Sequence, residues 1–155
     1  MSMSFPTRYS GFHPHGCHIL LVEDNPAEAR LFEISTLEAD NSLSLATVSD
    51  GAEALDYVFQ RGRYQDARPC TLIVLDLNLP CVDGFEVLKK LKGDITASAI
   101  PIIVLSSSAE PGDVQRAYQQ GANAYLRKPT DANQMQAMAR SFVHYWCELV
   151  RLPEA

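Results

Sequence analysis

Five polar side chains each lie directly after an apolar run of the sequence. Glu23 and Asp24 follow the first run, Asp76 follows the third, Ser106 the fourth and Lys128 the fifth. If these runs are neighbouring strands of a parallel sheet, their carboxyl ends meet at one edge, where such folds bind ligands. The sequence therefore predicts one site that holds three carboxylates, a hydroxyl and an ammonium group.

These residue types suit phosphoryl transfer. Carboxylates that lie close together repel one another, and Mg²⁺, which prefers oxygen ligands, relieves the repulsion. Asp76 is then the candidate nucleophile, since a carboxylate that attacks phosphorus gives an acyl phosphate, whose oxygens Lys128 and Ser106 would contact. Taken singly, each residue also has an ordinary explanation as a helix cap, a turn residue or a surface lysine. Their joint position favours a site.

Apolar runs alternate with helical patterns along the chain, which predicts an α/β fold. The mixed polarity of the second run places it at a sheet edge, and the wholly apolar third run belongs at the centre. Short right-handed crossovers favour a flavodoxin-like, doubly wound five-stranded parallel sheet of order 2-1-3-4-5 with five helices and an extended last helix. The predicted strands are 19–22, 43–48, 71–75, 102–105 and 124–126, and the predicted helices begin near residues 26, 51, 83, 111 and 131, the last ending near Val150.

Composition restricts the class of protein. The chain has 155 residues, of which 46% are hydrophobic and 21% charged, with a formal net charge of −6. This length predicts one domain, at 18–153, after a flexible tail at 1–17, with no effector domain. The acidic balance argues against binding nucleic acid. No apolar run approaches the length of a membrane helix, and no secretory signal is evident, so we expect a cytoplasmic protein without membrane contact.

The cysteines predict no zinc or redox motif. They lie at positions 17, 70, 81 and 147, and no pair has a two-residue spacing, so we expect reduced thiols without a functional role. One metal-like cluster runs from His13 through His15 and Cys17 to His18. Because it lies in a stretch rich in Ser, Gly and Pro, we expect a flexible or tag-like lead-in rather than a metal site.

Over about residues 17–130 the sequence resembles the receiver domain of response regulators in two-component signalling. The motifs that carry the resemblance are Val22-Glu23-Asp24-Asn25, Asp76-Leu77-Asn78-Leu79-Pro80 with Asp83-Gly84, Ser106, Gly121-Ala122, and Tyr125-Leu126-Arg127-Lys128-Pro129. The resemblance implies that Asp76 accepts a phosphoryl group from a histidine kinase. It also implies that Glu23, Asp24 and Asp76 bind Mg²⁺ together with the backbone carbonyl of Asn78.

The same resemblance assigns the remaining site residues. Ser106 and Tyr125 become a switch pair, Lys128 contacts the phosphoryl group, and the bond from Lys128 to Pro129 is expected to be cis. Without the family, an aromatic residue such as Tyr125 in a short strand belongs to the core more often than it acts as a gate, and the resemblance reverses this preference. Phosphorylation would draw Ser106 toward Asp76 and open space for Tyr125 to turn inward, which would change the helix 4–strand 5–helix 5 face.

A narrower resemblance concerns the partners. Asp50 to Tyr57, the loop 60–69 and the end from Trp146 to Pro153 are similar to stand-alone regulators paired with bacterial phytochromes, which implies a phytochrome-type kinase as partner. Output would be a protein contact or phosphotransfer to a downstream protein.

The apolar arc of the last helix is wider than one core face requires, which predicts a homodimer. The alternative is that this breadth packs on the N-terminal tail or stays solvated. The predicted dimer face comprises Val114, Tyr118, Tyr125, Phe142, Tyr145, Trp146 and Leu149.

Three other readings stay open at this point. An aspartate-nucleophile phosphohydrolase also uses an Asp at a strand end, but it typically places a second Asp where this chain has Asn78. A flavin- or nucleotide-binding domain of the same topology would need a glycine-rich loop after strand 1, which the sequence lacks. A degenerate receiver that serves only as an interaction module would lack one of the key residues, all of which are present.

Overall fold

Five parallel strands form a single sheet with apolar central members. The structure, a computed structural model, describes residues 16–154. The strands are β1 (His18–Val22), β2 (Ser44–Val48), β3 (Leu72–Leu75), β4 (Ile102–Ser106) and β5 (Ala124–Arg127). Their order is β2-β1-β3-β4-β5, so the predicted flavodoxin-like topology is confirmed. Every residue of β1, β3 and β4 is buried, as expected for strands covered on both faces.

Capping side chains begin most of the helices. Asn25, Asp50, Asp83 and Asp131 each accept a hydrogen bond from a backbone N–H of the first turn. These caps fix the point at which the chain leaves the sheet edge and turns into a helix. The α-helices are α1 (Pro26–Ala39), α2 (Gly51–Val58), α3 (Gly84–Gly93), α4 (Pro111–Gln119) and α5 (Ala132–Phe142).

The sheet separates two hydrophobic cores. On one face, α1 and α5 pack against each other and against the sheet, with the ring of Phe32 edge-on to that of Phe142 at 5.9 Å. On the other face, α2, α3 and α4 contribute side chains such as Leu55, Leu88 and Ala117 to the second core. The edge of the sheet at which the site is predicted therefore lies between two helical layers, each with its own hydrophobic core.

The last helix differs from the prediction of one α-helix that ends near Val150. After α5 the chain continues as a π-helical segment, Val143–Leu149, in which the Val150 N–H donates to the carbonyl of Tyr145 at 2.8 Å. Val143 and Cys147 of this segment are buried, and Val143 directly follows the buried Phe142. Part of the apolar breadth that predicted a second surface is therefore used within this chain.

The N-terminal boundary also needs correction. Residues 1–15, which include His13 and His15, lie outside the described residues. Cys17 had been placed in the tail, but its side chain is only 6% exposed and belongs to the core on the α1 and α5 side of the sheet. Within residues 16–154, no helix has the length and apolar character needed to cross a membrane.

His18 begins β1 and is buried in a chain of hydrogen bonds at the amino end of the sheet. Tyr57 Oη donates to the carbonyl of Arg68 at 2.8 Å, so it accepts from Nε2–H of His18, also at 2.8 Å. The ring's other nitrogen, Nδ1, then accepts from Ser44 Oγ at 2.8 Å. This arrangement satisfies a neutral imidazole. Burial, together with the nearby positive charge of Arg68, lowers the pKa of His18.

This lowered pKa predicts a stability loss in acid. The unfolded chain binds a proton at His18 more tightly than the folded chain does. The stability that the folded state gains from a neutral His18 is therefore fully present above about pH 6.5 and declines as the pH falls below that value. Urea unfolding at pH 7.5 and 5.5 measures the decline, which we expect to shrink in His18→Gln. The same variant should lose about 1–2 kcal/mol at pH 7.5, because Tyr57 and Ser44 lose well-placed partners.

His144→Gln is the matched control, since that histidine has a side chain that is 60% exposed and lies beside Glu148. It should change the unfolding free energy at pH 7.5 by less than about 0.5 kcal/mol, as is usual for an exposed side chain. Equal behaviour of the two variants would contradict a role for His18.

Candidate functional site

The sheet register brings the predicted residues to one edge. Val22 pairs with Leu75, so Glu23 and Asp76 leave the sheet side by side, and the Asp76 N–H donates to the Val22 carbonyl at 3.0 Å. On the other side of β3, the Lys128 N–H donates to the carbonyl of Ser106 at 2.8 Å. The structure therefore brings together residues at the carboxyl ends of β1, β3, β4 and β5.

Lys128 is the hub of the site. Its Nζ lies 2.6 Å from Glu23 Oε1, 2.6 Å from Glu28 Oε2 and 2.9 Å from Asp76 Oδ2. The side chains of Lys128, Glu23 and Asp76 are 12%, 5% and 6% exposed, so water screens these contacts weakly. The ammonium group neutralises part of the negative charge and holds Asp76 in a fixed orientation.

The electrostatics of the pair Glu23 and Lys128 follow from this packing. Burial raises the pKa of Glu23 to about 8, and the neighbouring Glu28 and Asp76 add to the rise. Burial opposes the charged form of Lys128, but its hydrogen bonds to the three carboxylates outweigh that cost and raise its pKa. The site thus carries an excess of negative oxygen atoms that one lysine does not fully balance.

The same edge fits a hard divalent cation. Glu23, Asp24 and Asp76 each offer a carboxylate oxygen, and these atoms all lie within 4.8 Å of one another. Glu23 Oε2 is buried and has no hydrogen-bond partner among the described residues. An orphaned buried carboxylate oxygen next to two further oxygen donors is the ligand type that Mg²⁺ and Mn²⁺ accept.

The loop after β3 fixes the conformation of Asp76. Its Oδ1 accepts from the Asn78 N–H at 3.2 Å, and the Gly84 N–H donates to the Leu77 carbonyl at 2.9 Å. Gly84 passes so close that a Cβ there would lie 2.4 Å from both the Asp76 carbonyl oxygen and the Leu77 Cα. The backbone of α3 is thereby pressed directly against the candidate nucleophile.

Ser106 and Tyr125 contact the same loop between β4 and α4. Ser106 is buried, and its hydroxyl oxygen accepts from the Ser108 N–H at 3.3 Å. The half-buried Tyr125 donates from its hydroxyl to the Ser108 carbonyl at 2.8 Å. The two side chains are thus connected through one short segment.

Among the described residues no peptide bond is cis, so the prediction of a cis bond between Lys128 and Pro129 is wrong. The trans form is the lower-energy isomer.

Comparison with known proteins identifies the family. The response regulator receiver domain matches residues 19–140. The chain belongs to this family. Response regulator Rcp1 of Synechocystis sp. is 37% identical over 139 residues, which cover 88% of this chain and 93% of that protein. Homologous receiver domains bind a divalent metal at an acidic site.

Two solved structures of related regulators have the same fold. The phosphorylated cyanobacterial phytochrome response regulator RcpA superposes with a TM-score of 0.86 at 37% identity, covering 90% of this receiver and 99% of that chain. The Mn²⁺-bound form of Rcp1 gives a TM-score of 0.81 at 34% identity, covering 89% and 99%. This receiver is therefore homologous to regulators named for phytochrome signalling.

One residue of the receiver's acidic site was missed by sequence reasoning. Glu28 lies in the first turn of α1, where its spacing from Asn25 indicates only a capping box. Its N–H does donate to Asn25 Oδ1 at 3.1 Å, but its carboxylate contacts Lys128 instead. Glu28 and Lys128 are 100 positions apart in the sequence, so only the three-dimensional arrangement reveals their contact.

The residues of the predicted dimer face are not equally accessible. Tyr118, Tyr145 and Leu149 are 49%, 50% and 40% exposed. Phe142 does not fit this face, because its ring is buried against Phe32 in the core. The three remaining members, which are half-buried, are Val114, Tyr125 and Trp146.

Proposed function

We propose that Asp76 is the phosphoacceptor of this receiver and that Glu23, Asp24 and Asp76 bind the Mg²⁺ that the reaction needs. The observation that carries the proposal is the position of Asp76. Its carboxylate is buried at the end of β3, 2.9 Å from Lys128 Nζ, with oxygen atoms of Glu23 and Asp24 within 4.8 Å. The backbone carbonyl of Asn78 is the proposed fourth protein ligand.

The chemistry is a transfer between two protein side chains. A carboxylate oxygen of Asp76 attacks the phosphorus of a phosphohistidine on the kinase; a P–O bond forms and the P–N bond breaks. Lys128 and the hydroxyl of Ser106 then hydrogen-bond the phosphoryl oxygens and stabilise their charge. When bound, Mg²⁺ would supply positive charge for those oxygens and offset the carboxylates. Hydrolysis of the acyl phosphate regenerates Asp76, so the receiver supplies catalytic groups for both its phosphorylation and its dephosphorylation.

The proposed donor is a phytochrome-type histidine kinase. Support comes from the relatives: RcpA is named as a phytochrome response regulator, and the similarity spans nine tenths of this chain. A reconstituted transfer from an autophosphorylated phytochrome kinase, compared with a histidine kinase of another class, tests this pairing. Faster labelling by the unrelated kinase would contradict it.

Phosphorylation of the unmodified protein tests the central proposal. Incubation with acetyl phosphate and Mg²⁺ should give a single adduct that maps to Asp76 by mass spectrometry. Hydroxylamine should release it, because an acyl phosphate reacts with this nucleophile and a serine phosphate does not. Labelling should stop when a chelator removes Mg²⁺.

Three results would overturn the proposal: an adduct on Ser106, labelling that persists without a divalent metal, or steady turnover of many small phosphoesters. The last would favour a phosphohydrolase.

We further propose that phosphorylation acts on a homodimer face formed by α4, β5 and the π-helical segment. Tyr118, Tyr145 and Leu149 supply its exposed apolar surface. Tyr125 connects this face to the site, since its hydroxyl contacts Ser108, two residues after Ser106. Movement of Ser106 toward a phosphoryl group would shift that loop and release Tyr125. The same face is the proposed contact for a downstream target or phosphotransfer protein.

The dimer face can be tested by charge insertion. Light scattering of the phosphorylated protein should report a dimer, and the double variant Tyr145→Glu with Leu149→Glu should remain a monomer, because two desolvated carboxylates oppose association. Ile95→Glu is the control, since Ile95 is 95% exposed between α3 and β4 and lies outside the face. A dimer that survives the double variant would place the interface elsewhere.

A further inference from the structure

Two cysteines from opposite ends of the described chain meet in the core. Cys17, directly before β1, and Cys147, in the π-helical segment, are 130 residues apart, yet their Sγ atoms lie 2.8 Å from each other. A disulfide bond is about 2.05 Å long, so less than about 1 Å of movement separates this contact from a covalent bond. Both side chains are buried, at 6% and 7% exposure.

The other two cysteines are not placed for this chemistry. Cys70 is buried beside α2, and burial raises its pKa to about 12. Cys81 is exposed in the loop between β3 and α3. The four cysteines are all within residues 16–154, so the pair formed by Cys17 and Cys147 is the single close thiol pair that the hydrogen bonds of this part of the chain record.

We propose that Cys17 and Cys147 are a redox modification site that closes into an intramolecular disulfide when the protein meets a peroxide. The chain then joins the start of its first strand to its C-terminal helix by a reversible covalent bond. Disulfides in reducing compartments are usually transient and redox-sensing, which suits a pair that is free in the resting state.

The surroundings make the two sulfurs unequal. The hydrogen bond between the two thiols lowers the pKa of Cys17, and Thr71 and the positive charge of Arg68 act in the same direction, against burial, which raises it. The pKa of Cys147 is raised by the same hydrogen bond and by burial, and Asp40 and Glu148 add to the rise. Cys17 is therefore the sulfur that reacts first as a thiolate.

The oxidation is balanced by one peroxide. The Cys17 thiolate attacks a peroxide oxygen; an S–O bond forms, the O–O bond breaks and hydroxide leaves, giving a sulfenic acid. The sulfur of Cys147 then attacks the sulfenic sulfur; the S–S bond forms, the S–O bond breaks, and the Cys147 proton leaves with the oxygen as water. Two thiols are oxidised, and the peroxide is reduced to two waters.

The bond should stabilise the folded state. It would close a loop of more than a hundred residues, which restricts the unfolded chain far more than the folded one, where the sulfurs already touch. We expect the Tm of the oxidised protein to exceed that of the reduced protein by about 5–15 °C. A reductant should reverse the shift.

Peptide mapping of the unmodified protein decides the proposal. The full chain is treated with hydrogen peroxide, its free thiols are alkylated in denaturant, and a non-reducing digest is analysed by mass spectrometry. We expect the peptide that contains Cys17 to be linked to the one that contains Cys147, with Cys70 and Cys81 alkylated. Alkylation of all four thiols, a bond between another pair, or a sulfinic acid on Cys17 without a bond would overturn the proposal.

Single variants supply a second readout. Cys17→Ser and Cys147→Ser should each abolish the peroxide-dependent rise in Tm, whereas Cys70→Ser, which also alters a buried cysteine, should retain it. A rise that persists in either of the first two variants contradicts the assignment. If a variant does not fold, the linked peptide from the unmodified protein remains decisive.

Discussion

Asp76→Asn is expected to abolish labelling by acetyl phosphate and Mg²⁺, with a loss of at least about 100-fold. The amide is nearly the same size as the carboxylate but lacks the negative oxygen that attacks phosphorus. The substitution also replaces one of three carboxylates whose oxygens lie within 4.8 Å of one another with a neutral amide, so metal binding weakens at the same time. Phosphate-affinity electrophoresis and intact-protein mass measurement both report the result.

Asp83→Asn is the matched control, because both aspartates follow β3 and precede the first turn of α3. Asp83 accepts from the Glu86 N–H at 3.0 Å as the helix cap, a role that asparagine fills equally well. We expect this variant to fold and to be labelled at the normal rate. Equal labelling of the two variants, or transfer of the label to Asp83 when Asp76 is changed, would refute the assignment of Asp76.

Gly84→Ala should cost about 2–4 kcal/mol of unfolding free energy and slow the labelling of Asp76. The added Cβ would lie 2.4 Å from the Asp76 carbonyl oxygen and 2.4 Å from the Leu77 Cα. Both atoms belong to the backbone and cannot rotate away, so either α3 or the end of β3 must move. Urea unfolding measures the loss of stability, and the labelling rate measures the displacement of Asp76.

Gly93→Ala separates this steric effect from helix propensity. Gly93 is the last residue of α3, and apart from its chain neighbours and the backbone of its own helix no atom of the described residues lies within 4 Å of a Cβ built there. Alanine should therefore stabilise this variant by about 0.5–1 kcal/mol or leave it unchanged, with normal labelling. If Gly84→Ala has the same stability and labelling rate as Gly93→Ala, then the close approach of α3 to Asp76 affects neither the stability of the protein nor the position of Asp76.

Strand order and most of the site were predictable because they depend on local patterns. An apolar run such as Leu72–Leu75 identifies a buried strand by composition alone, and right-handed crossovers leave few ways to arrange five such strands. Once the strand order was fixed, the residues after each strand had to meet at one edge. Asp76 and Lys128, 52 positions apart, are in contact for this reason.

The features that escaped prediction depend on contacts between distant segments. The contact of Glu28 with Lys128 depends on the position of α1 relative to β5, which no local motif records. A fixed rotation of 100° per residue, as in an α-helix, does not describe the π-helical segment in which Cys147 is buried. The contact between Cys17 and Cys147 joins residues that are 130 positions apart, so their spacing in the sequence does not indicate it.

The two outer strands carry a consequence for aggregation. β2 and β5 have only five and four residues, and each exposes a polar side chain, Thr47 and Arg127 respectively. Pro129, just past β5, has no N–H to offer a further strand. Short edge strands that carry a charged residue or a proline disfavour the addition of further strands, which is the step that leads to fibrils. We therefore expect this protein to resist sheet-to-sheet polymerisation at high concentration.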